Sequence, residues 1–179
     1  MPRNIEIKAR VPDPAALQRR ATALTDSPPQ LIPQEDTFFN VPQGRLKLRV
    51  ITPDHGQLIY YQRPDAAGPK QSDYHIALTA EPQTLKNVLA RSLGIRGIVR
   101  KERWLYLVGP TRIHLDQVEG LGSFMELEVI LQDDQSPAEG QAIAADLMAQ
   151  LGIQDQDLIE GAYIDLLDSH STAGIKNDT

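Results

Sequence analysis

Charged residues fall on alternate positions at four separate places in this chain. They are Glu6, Lys8 and Arg10; Arg45, Lys47 and Arg49; Arg112, His114 and Asp116; and Glu126 and Glu128. Apolar residues fill the positions between, as in Asn4-Ile5-Glu6-Ile7-Lys8 and Arg45-Leu46-Lys47-Leu48-Arg49-Val50. In a β-strand, residues two apart point to the same face. Each run therefore presents one apolar face and one ionic face. Ionic faces turned towards one another would enclose a cation-lined cavity with a few carboxylates. Such a cavity suits a polyphosphate and its metal ions.

The wet face of an antiparallel sheet is normally polar as well. Two features set these faces apart. They are almost wholly charged, where a solvated face mixes in Thr, Ser and Gln. The cations Arg45, Lys47 and Arg49 also repel one another unless something anionic sits among them. A closed barrel could keep so many cations only with anionic partners, because an unpaired buried charge is costly. A triphosphate brings several negative charges and many acceptor oxygens.

The 179 residues are the length of one domain, and 41% hydrophobic with 23% charged is ordinary for a soluble protein. Without cysteine, neither disulfides nor thiolate metal sites are available. The first residues form no apolar signal core, and no run approaches a membrane span. A reducing, cytoplasmic setting is expected, with no membrane partner. A net charge of −6 argues against nucleic acid. The cations sit in the strand-like runs, whereas Asp and Glu dominate residues 133–168. That separation predicts a small anionic ligand in a local basic site.

Turn residues divide the chain into elements. Strands are predicted over 2–11, 34–40, 45–51, 58–63, 73–78, 98–108, 111–118 and 124–131. Helices are predicted over 15–24, 83–93 and 136–150, with a short one over 160–167. His55 falls in a turn, 64–71 in a loop, and 169–179 in a disordered tail. About eight strands joined mostly by short turns predict an α+β fold, an eight-stranded antiparallel closed barrel or tunnel with flanking helices. Trp104, Tyr106, Phe38 and Phe39 read as core.

Glu126 and Glu128, with Glu6 facing them from another strand, are candidate ligands for a hard divalent cation. Asp116 shares a face with Arg112. Either it pairs with that arginine, or it positions a water or accepts a proton. His114 stands alone, as a strand histidine usually hydrogen-bonded and not a ligand. On the long strand, Arg100/Glu102 and Lys101/Arg103 compete for the inner face, and alternation does not decide between them. No glycine loop of the phosphate-binding type is present; Gly120-Leu121-Gly122 reads as a turn.

In this order the runs resemble the CYTH superfamily, the triphosphate tunnel metalloenzymes. Its hallmark Glu-x-Glu-x-Lys corresponds to Asn4-Ile5-Glu6-Ile7-Lys8. Further matching segments are Glu35–Asn40, Arg45–Arg49, Lys101-Glu102-Arg103, Leu107-Val108-Gly109 and, most specifically, Ile113–Glu128. The resemblance spans nearly residues 3–167, implying one CYTH-like domain over 1–168. It is nearest to the class IV adenylyl cyclase branch.

That resemblance implies an enzyme acting on a small-molecule triphosphate with Mg²⁺ or Mn²⁺. The reaction implied is ATP to cyclic AMP and pyrophosphate. The alternatives are an inorganic or thiamine triphosphatase, and a non-catalytic nucleotide- or polyphosphate-binding module. Glu6, Glu126 and Glu128 are the implied metal ligands. Lys8, Lys47, Arg49, Arg63, Lys101, Arg103, Arg112 and Tyr163 are the implied substrate-binding residues. Asp116, Lys8 and Arg103 are the implied catalytic residues. The match selects Lys101 and Arg103 for the inner face. ATP, tripolyphosphate and thiamine triphosphate are the candidate partners, and a homodimer is the assembly to test. The chain departs from the hallmark at Asn4, which is neutral and a poorer Mg²⁺ ligand than glutamate. The departure bears on metal count and on turnover.

Overall fold

The computed structural model describes residues 3–62 and 69–174, with the backbone alone at 70–72 and 170–174. Its strands are β1 (Arg3–Arg10), β2 (Gln30–Phe39), β3 (Arg45–Thr52), β4 (His55–Gln62), β5 (Lys70–Thr79), β6 (Ile95–Val108), β7 (Thr111–Val118) and β8 (Gly122–Ile130). They close into an antiparallel barrel in the order β1-β5-β4-β3-β2-β6-β7-β8. Four helices flank it: α1 (Pro14–Leu24), α2 (Pro82–Leu93), α3 (Pro137–Leu151) and α4 (Tyr163–Gly174). None is long and apolar enough to cross a membrane.

The alternation in β1 explains how the barrel is organised. Ile5, Ile7 and Ala9 point outward and are buried under α1 and α3, together with Ile113, Leu115, Met125, Leu127 and Val129 from β7 and β8. Asn4, Glu6 and Lys8 point inward. The larger apolar core therefore lies outside the barrel wall, and the inside is left for charge. Asp13 caps α1 by accepting from the Ala16 N–H, and Ser136 with Glu139 forms a capping box on α3. These caps hold the two covering helices in place.

A second apolar cluster closes one end of the barrel. Inward-facing Phe38, Val99, Val118 and Phe124 pack there against Ala162, Tyr163 and Ile164 at the start of α4. Gly97 permits this approach, since a Cβ there would collide with Ile164. Gly161, with φ of 76°, turns the chain into α4. Arg45 and Arg96 then pin the helix through Asp165 at 2.8 Å and 2.6 Å.

Most differences from the sequence expectations lie at element ends. β2 begins at Gln30, not 34. It pairs with β6 throughout but with β3 only from Glu35 onward. Pro33 thus sits where the strand has one partner, a position that tolerates a missing N–H. His55 opens β4 instead of lying in the turn, because it pairs with Thr52 across a bulge. α4 starts at Tyr163 and continues to Gly174, into the stretch read as a tail; residues 175–179 lie outside the described residues. Phe38, Phe39 and Tyr106 are buried, as expected.

Candidate functional site in the barrel

A cavity of about 590 Å³ runs through the barrel. Its wall includes Asn4, Glu6, Lys8, Asp36, Lys47, Arg49, Lys101, Arg103, Arg112, His114, Glu126, Glu128 and Tyr163. The predicted ionic residues among the described ones are thus brought to one tunnel, apart from Asp116, which is completely buried behind it, and Arg10 and Arg45, which are not in its wall; Arg45 pairs with Asp165 of α4 instead. Arg63 lies outside the described residues. On β6 it is Lys101 and Arg103 that face in; Arg100 points outward and pairs with Glu35 at 2.9 Å.

Asp116 is the hub of one cluster. The β6–β7 register sets it opposite Arg103. Arg103 donates to both of its oxygens at 2.7 Å and 2.6 Å, Lys101 donates at 3.1 Å, and the Tyr163 hydroxyl donates at 2.9 Å. Burial pushes the Asp116 carboxyl up, but Arg103 and Lys101 outweigh it and hold the group below the usual carboxylate range. Burial, with Glu126 and Asp116 nearby, raises Tyr163 well above an ordinary phenol, so it stays protonated. Lys8 stands over the Tyr163 ring at 3.9 Å and pairs with Glu126 at 3.0 Å. Glu126 also receives Arg103 at 2.5 Å.

Asp36 organises a second cluster, on β2 and β3. It accepts from Lys47 at 2.8 Å and from both Nε and Nη2 of Arg49 at 2.7 Å and 2.8 Å. Sequence reasoning did not single it out. The signal was its place in Glu35-Asp36-Thr37, on the same strand face as Phe38, directly opposite Arg49.

Next to Glu126 lies an acidic corner. Glu6 faces Glu128 directly across the β1–β8 ladder. Burial first, then the Glu6 and Glu126 charges, raise the Glu128 carboxyl above its usual range. Carboxylate oxygens of Glu126 and Glu128 and a ring nitrogen of His114 all fall within 4.8 Å of one another, a spacing that can hold one ion. The Nδ1 of His114 is buried and has no hydrogen-bond partner among the described residues, unlike the bonded strand histidine expected. Burial, with Arg103 next, lowers this imidazole well below its ordinary value, which leaves it neutral. Asn4 donates to Glu6 at 3.3 Å. Arg112 stands at the mouth, its side chain 51% exposed and 3.8 Å from Glu128.

Known proteins share this frame. A protein of Pyrococcus horikoshii OT3 superposes with a TM-score of 0.81 at 26% identity, over 91% of this chain and 98% of that one. HpAC1 of Hippeastrum, described with a dominant triphosphatase activity, shares the fold at 19% identity, with a TM-score of 0.58 over 84% and 88% of the two chains. The adenylate cyclase CyaB of Aeromonas hydrophila is 26% identical over 94% of this chain and 90% of its own. The CYTH domain model matches residues 2–163, all eight strands of the barrel and the chain up to the first residue of α4, and the chain belongs to that family.

Proposed function

We propose that the tunnel binds a small-molecule triphosphate with a divalent metal and acts on it as a class IV adenylyl cyclase does, converting ATP to cyclic AMP and pyrophosphate. One observation carries the reading: Lys8, Lys47, Arg49, Lys101 and Arg103 converge on a single enclosed cavity in which their carboxylate partners only partly offset them. A polyphosphate chain is the small ligand with matching charge and acceptor density. Similarity to CyaB over 94% of the chain favours the cyclase among the reactions open to such a site.

The acidic corner fits a metal. Two glutamates set opposite each other are unfavourable without a cation; burial first and then the facing Glu6 charge raise the Glu128 carboxyl. Glu126, Glu128 and His114, with Glu6 facing Glu128 from β1, would hold Mg²⁺ or Mn²⁺, the imidazole nitrogen favouring manganese. When bound, the ion would supply Lewis-acid neutralisation of phosphate charge. Lys8, Lys101 and Arg103 are the chain's own electrostatic contribution, preorganised by burial. Asp116 has both oxygens occupied and a lowered pKa, so it fits the part of holding Lys101 and Arg103 in place better than that of taking a proton. Tyr163, kept protonated, fixes Asp116 from the α4 side.

The test is a phosphorus NMR time course with Mg²⁺ and then Mn²⁺, offering ATP, tripolyphosphate and thiamine triphosphate. Pyrophosphate with cyclic AMP is the expected outcome, and Glu128→Gln should abolish it while the protein stays folded. Orthophosphate released from the terminal position would replace the cyclase with a triphosphatase. Bound-ligand signals without any product would replace both with a binding module.

A further inference from the structure

Among the described residues the tunnel has one open end. At the other, Phe38, Val99, Val118 and Phe124 from four strands meet Ala162, Tyr163 and Ile164, none of them more than 5% exposed. Two devices keep this end shut. Gly97 presents no side chain, so Ile164 sits flush against β6. Lys8 donates to the Gly161 carbonyl at 3.4 Å, while Arg45 and Arg96 hold Asp165 one turn further on. The exposure of the cations follows the same axis. The side chain of Lys8, over the Tyr163 ring, is 3% exposed, that of Arg49 is 14% exposed, and that of Arg112, at the mouth, is 51% exposed.

A dead end imposes an order on whatever passes through it. A polyanion is drawn to the deep cations Lys8, Lys101 and Arg103, because burial strengthens the attraction between charges. The organic group on its α-phosphate brings no charge to match them and trails towards the mouth. In the cyclase reaction the ribose 3′-oxygen bonds to the α-phosphorus. The bond from that phosphorus to the oxygen of the β-phosphate breaks, and pyrophosphate departs with the electron pair. The hydroxyl proton passes to water. Pyrophosphate is thus formed at the closed end, with cyclic AMP between it and the mouth. An eight-stranded barrel has room for one small ligand across its width, so the two products cannot pass each other.

We infer that product release is ordered: cyclic AMP leaves first, and pyrophosphate leaves last through the same mouth, so that pyrophosphate is the product that bars the next substrate. The inference rests on the cyclase reading above. It also gives the protein a place in a reaction sequence. Hydrolysis of a phosphoanhydride bond, converting pyrophosphate to two orthophosphates, must consume this product if turnover is to be sustained.

Initial rates against ATP, with the divalent metal in excess over all phosphates, test the order. Added pyrophosphate should be purely competitive, raising the apparent KM about twofold at its inhibition constant and leaving kcat unchanged. Cyclic AMP should instead lower kcat. Cyclic AMP that competes with ATP, or leaves kcat unchanged, would overturn the order. A second measurement needs no turnover. Labelled pyrophosphate bound to the protein is chased with unlabelled pyrophosphate, with and without saturating cyclic AMP. Cyclic AMP should slow the escape of the label by about tenfold or more. An unslowed chase in a protein that does form cyclic AMP would reveal a second exit and overturn the order alone. Failure to form cyclic AMP from ATP would overturn the cyclase reading and the order with it.

Discussion

Two aspartates in the same tunnel each hold a lysine and an arginine, yet their surroundings differ. Asp116 and its partners are sealed in: the side chains of Lys101 and Arg103 are 4% and 6% exposed, and Tyr163 and Glu126 complete the set. Asp36 holds Lys47 and Arg49 closer to the cavity, at 15% and 14% exposure. Around Asp116, burial opposes the Arg103 charge, but Asp116 and Glu126 overcome it and hold the guanidinium well above its ordinary pKa. Around Asp36, burial wins for the lysine: with Arg49 and Lys101 nearby, Lys47 falls to about 8 despite its carboxylate. Lys101 is lowered too, by burial and then by Arg103, so the two lysines behave alike. They differ in that Lys101 is sealed in a fixed frame, while Lys47 lies nearer the cavity, where a ligand can trade its proton. Equal counts of charge thus sit in unequal surroundings, and access to the cavity is what separates them.

Removing the hub should produce the largest difference. Asp116→Asn strands buried Lys101 and leaves Arg103 with Glu126 alone, and should cost about 3–5 kcal/mol, lowering the melting temperature by roughly 6–20 °C for a chain of this size. Asp36→Asn leaves its cations nearer to water, so about 1–2 kcal/mol is expected. Thermal unfolding of both variants ranks them. A larger loss at Asp36 would reverse the assignment of frame and adjustable cluster.

The sequence disclosed this architecture unevenly. Period-two alternation exposed β1, β3, β7 and β8, because in each of them one face is charged and the other apolar. It could not orient β6, where Arg100, Lys101, Glu102 and Arg103 make both faces ionic; the outward Arg100 turns out to serve Glu35, which also takes Lys86 from α2. Long-range partners were hidden for a different reason. Tyr163 reaches Asp116 from 47 residues away, through a helix whose docking depends on Gly97 and Asp165. Leu105 and Ile32 look like core residues in any pattern, and only barrel closure reveals that they face the tunnel. His114 read as an ordinary strand residue because nothing local says that its Nδ1 will lack a partner.

The adjustable cluster should declare itself in the pH dependence of binding. Lys47 carries its proton below about 8 and loses it above. A bound polyanion favours the charged form, so binding above that pH must take up a proton. Tripolyphosphate affinity should therefore fall as pH rises through about 8, by at most about tenfold per unit for one proton. Lys47→Arg keeps the charge at every pH reached and should flatten this slope. Calorimetry across pH 7–10 on both proteins subtracts the ligand's own titration, which is common to them. An identical slope in the variant would move the proton exchange away from Lys47.

The smallest effect should come from Arg112, outside both clusters. Its guanidinium is half in solvent, and its 3.8 Å approach to Glu128 is that of a screened surface pair. Such pairs are worth about 0–1 kcal/mol, so Arg112→Ala should raise KM for a triphosphate by about two- to fivefold, with kcat and melting temperature unchanged. Added salt should shrink even that difference, because an exposed charge acts through screened solvent. If kcat instead falls along with KM's rise, and salt has no influence, then Arg112 acts on the reacting phosphate itself. The fixed frame would then extend from Asp116 to the mouth, and exposure would no longer separate the residues that hold the substrate from those that only attract it.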